Sequence, residues 1–134
     1  MPPFKSTWWS ITPPPGWLAQ QDEECASFAR PDGVGALQIS AARKDDASVT
    51  VDDLREFAAS QIPSDTVLSH VHFEAFDGLH AAFSKQGSHW EMWWLRTGSL
   101  MVCVTHNCPV DDAGIDTDAV HRSLDTLEPT GGAA

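Results

Sequence analysis

Apolar and polar positions recur along the chain with two different periods, and each period predicts its own element. Val51, Leu54, Phe57, Ala58 and Ile62 follow one another at helical spacing. They lie behind Thr50, which with Asp53 three residues on forms a capping box, Asp standing in for the usual Glu or Gln. This predicts a helix that Pro63 stops. Ile115, Ala119, Val120, Leu124 and Leu127 make a second apolar stripe, predicting a helix over about 116–127. Residues 128–132, with their Pro and paired Gly, read as a frayed tail.

Strand patterns occupy most of the remainder. Trp8 to Ile11 is a short strand candidate ended by Pro13-Pro14-Pro15-Gly16, a run that cannot donate to a central ladder. Cys25 to Phe28 and Ala36 to Ser40 read as a hairpin across Arg30-Pro31-Asp32-Gly33. A β-meander is expected over about 67–105, broken at Asp77-Gly78, at Gln86-Gly87-Ser88 and at Thr97-Gly98.

The Thr97-Gly98 turn predicts which residues share a face. Leu95, Trp93 and Glu91 stand opposite Leu100, Val102 and Val104, while Trp94, Met92 and Trp90 stand opposite Met101, Cys103 and Thr105. Both faces are then largely apolar, so these strands are central and need cover on both sides. The expected architecture is α+β: an antiparallel meander sheet flanked by helices as an α/β/α sandwich. One domain spans 1–134, with about 1–7 and 129–134 flexible.

Composition narrows the function classes. The 134 residues hold 8 Lys plus Arg against 19 Asp plus Glu, a net charge of −11. Nucleic acid and anionic membranes are therefore poor partners, whereas a basic protein fits. Three cysteines without a CxxC pair indicate reduced thiols, and no apolar stretch reaches membrane-spanning length, so a cytoplasmic setting is expected.

Candidate chemistry is sparse. His70, His72 and Glu74 alternate on one strand face and offer metal-ligand types, although a solvated strand face explains the same pattern. Cys103, His106 and Cys108 cluster at a strand end, yet Cys103 shares the Trp94 face, where a small buried hydrophobe fits. Asp45-Asp46, Asp52-Asp53 and Asp111-Asp112 fall at loops and helix starts, where capping and solvation account for them. Gly33-Val34-Gly35 is a turn, and no phosphate loop, dinucleotide fingerprint or nucleophile elbow occurs. No cofactor and no catalytic residue is expected.

The Trp90, Met92 and Trp94 face remains the candidate binding site. Trp and Met are enriched at interfaces, while core packing, the favoured reading for alternating Trp on a central strand, explains the same residues. Self-association through this strand, as a closed homodimer, is a further expectation.

Pro15-Gly16-Trp17 after a short strand, the Phe28 to Gly33 turn, Gly35 to Ser40, Trp90 to Arg96 and the closing Leu124-Asp125-Thr126-Leu127 together resemble the PsbP-like fold. That fold includes a photosystem extrinsic protein and a Ran-binding import factor. The resemblance implies a binding or assembly role, not catalysis, and transfers no functional residue. The resulting expectation is a non-catalytic protein-binding module, an adaptor or an immunity-like inhibitor. Its alternative is a metal-binding protein or metal-dependent enzyme using His70, His72 and Glu74.

Overall fold

A computed structural model of the chain describes residues 3–21, 25–31, 35–45 and 47–130. In chain order it contains β1 (Phe4–Lys5), β2 (Trp9–Ile11), β3 (Leu18–Gln21), β4 (Ala26–Ala29), β5 (Ala36–Arg43), α1 (Val51–Ala59) and β6 (Ser69–His72). There follow β7 (Asp77–Lys85), β8 (Ser88–Thr97), β9 (Leu100–Pro109), α2 (Thr117–Leu124) and β10 (Glu128–Pro129). Seven strands form one antiparallel sheet in the order β3-β4-β5-β9-β8-β7-β6, and β1-β2-β10 form a small second sheet.

The capping box of α1 is present. Asp53 N–H donates to Thr50 Oγ1 at 3.0 Å, and Thr50 N–H donates to the Asp53 carboxylate at 2.9 Å. The helix ends at Ala59 with Ser60 as its cap, short of Pro63. Leu54 and Ala58 point into the core, but Phe57 from the expected stripe stays 45% exposed. α2 likewise ends at Leu124, three residues early; Val120, Leu124 and Leu127 are buried while Ile115 lies outside.

Turn chemistry explains where the meander departs from expectation. Gln86 and Gly87 both adopt left-handed φ, 52° and 81°, as a two-residue hairpin loop of the primed type requires. The next turn falls at Gly98-Ser99, not Thr97-Gly98. A β-branched Thr is strained in the left-handed region, so Thr97 stays in the strand opposite Leu100 and Gly98 takes φ 55°. The pairing slips by two residues, which preserves every face because the strand period is two. Trp93 therefore sits opposite Val104 and Glu91 opposite His106.

Asp77-Gly78 is not a turn. The β6–β7 loop is Phe73 to Phe76, closed by Phe73 N–H donating to Phe76 O at 2.7 Å, and Gly78 pairs with Leu95 inside the sheet. A Cβ on Gly78 would run into the backbone carbonyl of Trp94, so this glycine serves close strand approach.

Residues at both ends that were expected to fray are paired. Phe4 and Lys5 stand opposite Ile11 and Ser10, Glu128 and Pro129 opposite Ser10 and Trp9, and Thr130 N–H donates to Trp8 O at 2.8 Å. Asp32 and Gly33 of the expected hairpin turn, the adjoining Val34, Asp46 and residues 131–134 lie outside the described residues.

Strand alternation divides the core in two. On one face Leu37, Ile39, Trp93, Leu95, Val102 and Val104 pack with Val120 and Leu124 of α2 and with Trp9 and Ile11 of the small sheet. On the other, Leu79, Ala81, Trp94 and Met101 lie under Leu54 and Ala58 of α1. The two helices thus cover opposite faces, as the doubly apolar central strands require.

Candidate functional site

The two faces are not covered equally. Along β5, Leu37 and Ile39 are fully buried under the α2 side, while Ala36, Gln38, Ser40 and Ala42, which alternate toward α1, remain half-buried or exposed. The short helix α1 packs chiefly over β7 and β8. It leaves the rest of its face open: those β5 positions, Thr105 and Asn107 of β9, and Trp90, Met92 and Phe83 at the far ends of β8 and β7. None of these side chains carries charge, in a chain where one residue in five does (20%); the charge on this face is Lys85, exposed at the end of β7 two positions beyond Phe83. Depletion of charge around half-exposed aromatic and Met side chains is the composition of an interface centre.

The boundary of α1 runs through the candidate Trp90, Met92 and Trp94 triplet. Trp94 is fully buried, and its indole N–H donates to Gln61 Oε1 at 3.1 Å. Opposite it, burial pushes the Cys103 thiol up to about 11, consistent with a packed, unreactive side chain. Met92 is half-buried at the rim of the α1 cluster. Trp90 lies beyond it, half-exposed and stacked on Phe83 with centroids 6.4 Å apart and planes 8° from parallel. Of the triplet, Trp94 is therefore a core residue, while Met92 and Trp90 are only partly covered.

His70, His72 and Glu74 do not assemble. β6 ends at His72, so Glu74 leaves the alternation and enters the loop, while His70 Nε2 lies 3.4 Å from the Arg55 guanidinium, a cation that disfavours a metal neighbour. Among the described residues no group of three or more His, Cys, Asp and Glu is placed to hold a metal ion. Cys103 also parts from His106 and Cys108, since it faces α1 and they face the α2 side.

On the α2 side the structure gathers a polar cluster that sequence reasoning missed. Glu91, His106 and Asp116 are 8%, 4% and 6% exposed. His80 Nε2 donates to Glu91 Oε2 at 2.8 Å, and His121 Nε2 lies 3.8 Å from the same oxygen. His106 faces Glu91 across the strands, with its Nε2 4.0 Å from Asp116, whose other oxygen accepts from Arg30 Nη1 at 2.9 Å. Trp93 packs between the His80 and His121 rings, 5.1 and 5.8 Å away.

The hydrogen bond from His80 holds the Glu91 carboxyl below its usual range, against the opposing effect of burial. Burial pushes His106 down and so favours the neutral ring, an effect only partly offset by Asp116 and Glu91. The partners seen for His80, His106 and His121 among the described residues are carboxylates and tryptophan rings. The cluster ties α2 to the sheet and charges with pH. The 91-to-106 pairing is the signal that locates it, and it emerges only once the turn is shifted to Gly98-Ser99.

No helix among the described residues is long and apolar enough to cross a membrane. No family model matches the chain, and neither does any curated protein. Solved structures do. A protein from Bacteroides thetaiotaomicron VPI-5482 is 22% identical with a TM-score of 0.71 over 95% of this chain and 47% of its own, so the chain spans about half its length. LpqN, described as involved in cell envelope biogenesis of Mycobacterium tuberculosis, is 13% identical with a TM-score of 0.60 over 91% of this chain and 83% of its own. At these identities the likeness extends to the fold alone: this α+β arrangement is one that bacterial proteins use.

Proposed function

We propose that the chain is a non-catalytic protein-binding module of PsbP-like type that docks a basic protein partner on the open half of its α1 face. The observation that supports this reading is the uncharged sheet surface around Trp90, Met92, Gln38 and Ser40, with Lys85 at its β7 edge, set in a chain of net charge −11. A neutral centre lets strands pack without desolvating ions, and the acidic surroundings speed the approach of a basic partner. An adaptor or an immunity-like inhibitor of a basic protein fits this division of labour.

The test is capture of native partners at low salt, followed by Gln38→Arg and Ser40→Arg, which place charge in the centre at half-exposed or exposed positions. A basic protein released by high salt, and lost from both variants while their circular dichroism stays native, supports the reading. A partner retained by both variants, a partner bound independently of salt, or a second copy of the chain as sole occupant of the face in sedimentation measurements refutes it.

A further inference from the structure

Where α1 meets the open sheet, a groove of about 450 Å³ runs between the helix and the end of β5. That volume lies within the range that holds a side chain or small ligand. Val49, Met101 and Ala42 form its floor, and Phe57 stands over it. Phe57 belongs to the apolar stripe of α1, yet it is 45% exposed. An apolar side chain half in water beside a groove of this size is a surface lacking its counterpart.

The charges at the mouth indicate which counterpart. Lys44 Nζ is engaged by Asp53 at 2.8 Å, and that contact, with the bond from Thr50 N–H, lowers the Asp53 carboxyl to about 2. Arg43 contributes its strand position, but its guanidinium lies on the other face, 5.6 Å from the centre of the Trp8 ring. Glu56, which also lines the groove, has no ion-pair partner among the described residues. Lys44 and Asp53 cancel, so the groove carries one negative charge beside an apolar trough.

We infer that this groove seats a basic amphipathic segment of the protein partner, with an apolar side chain against Phe57 and Met101 and a neighbouring lysine or arginine on Glu56. Ala42 belongs both to the groove and to the open sheet face, so one partner can span the two. The inference rests on the protein-binding reading and adds to it the chemistry of the segment bound.

The probe is a short fluorescein-labelled peptide alternating lysine with phenylalanine, with a glutamate-for-lysine counterpart as control, followed by fluorescence anisotropy and by amide chemical shifts of the full chain. The lysine peptide should bind saturably, shift Val49, Phe57 and Met101, and lose about tenfold in affinity on Phe57→Gln or Glu56→Lys, the scale of an interface anchor. Both substitutions fall on exposed positions, and the shift map on the unmodified chain does not depend on their folding. Equal binding of the glutamate peptide, no saturable binding, or unchanged affinity in both variants overturns the proposal. Shifts confined to Trp90, Met92 and Gln38 overturn the groove assignment while leaving the docking face intact, and the arginine variants of that face judge the broader reading separately.

Discussion

Trp90 and Trp94 lie on the same face of one strand, yet α1 covers only the second, so truncating them should have very different costs. Trp94→Ala removes a fully buried side chain of the α1 cluster. Burying a Trp withdraws roughly 200 Å² from water, about 5 kcal/mol at 25 cal/mol/Å², and measured truncations of buried Trp cost about 3–5 kcal/mol. Its hydrogen-bond partner Gln61 is exposed, so water replaces the lost indole N–H there and adds little. The expected loss is about 4 kcal/mol. Trp90→Ala removes a half-exposed ring whose main contact is the stack on Phe83, for about 1 kcal/mol. The two sites are four residues apart on a strand, about 13 Å, so the double variant should be additive within about 0.5 kcal/mol. Urea unfolding followed by far-ultraviolet circular dichroism avoids the altered tryptophan emission. With a slope of about 2 kcal/mol/M, the midpoints should fall by about 2 M and about 0.5 M respectively. Equal losses at the two positions, or a larger loss at Trp90, would refute the half-covered face and with it the docking surface built on it.

Two further outcomes follow from the same packing. Acidification should destabilise the chain in two stages. His106 is held below its ordinary 6.5, so the unfolded state gains protons first and stability falls as the pH drops below 6.5. Glu91 is held below its ordinary 4.5, so its contribution is complete above 4.5 and is lost at lower pH. His106→Gln should flatten the upper stage and Glu91→Gln the lower in thermal unfolding read across pH, with His80, His121 and Asp116 left in place. A profile unchanged by either substitution contradicts the cluster. Gly78→Ala should cost about 2–3 kcal/mol or more because its Cβ meets backbone, whereas Gly87→Ala, with open space but a left-handed φ, should cost about 1 kcal/mol. Matched melting temperatures for the two would show the β7–β8 pairing to be wrong.

Much of this architecture is legible in local chemistry. Thr50 with Asp53 announces α1, and two-sided apolar alternation in β8 and β9 requires cover on both faces. The faces survive a misplaced turn because a slip of two residues returns each side chain to the same side. What local pattern does not carry is pairing across strands. Asp77-Gly78 has turn composition, and only the carbonyl of Trp94 on the neighbouring strand reveals why a glycine is needed there. Glu91 and His106 are fifteen positions apart and meet only through the register set at Gly98. Phe57 keeps helical spacing, but the length of α1 and the width of the sheet, which periodicity does not encode, decide that it borders a groove.

The small sheet joins the two ends of the chain. Its central strand β2 is held on one side by a neighbour a few residues away and on the other by β10, and Thr12 N–H reaches Thr126 across 114 positions. Closing a loop of that size costs about 4 kcal/mol of chain entropy before any contact is gained. The cost falls once the intervening sheet and helices are in place and the ends are already near one another. Trp9 and Ile11, buried in the finished core, thus depend on a long-range pairing that the local hairpins cannot supply.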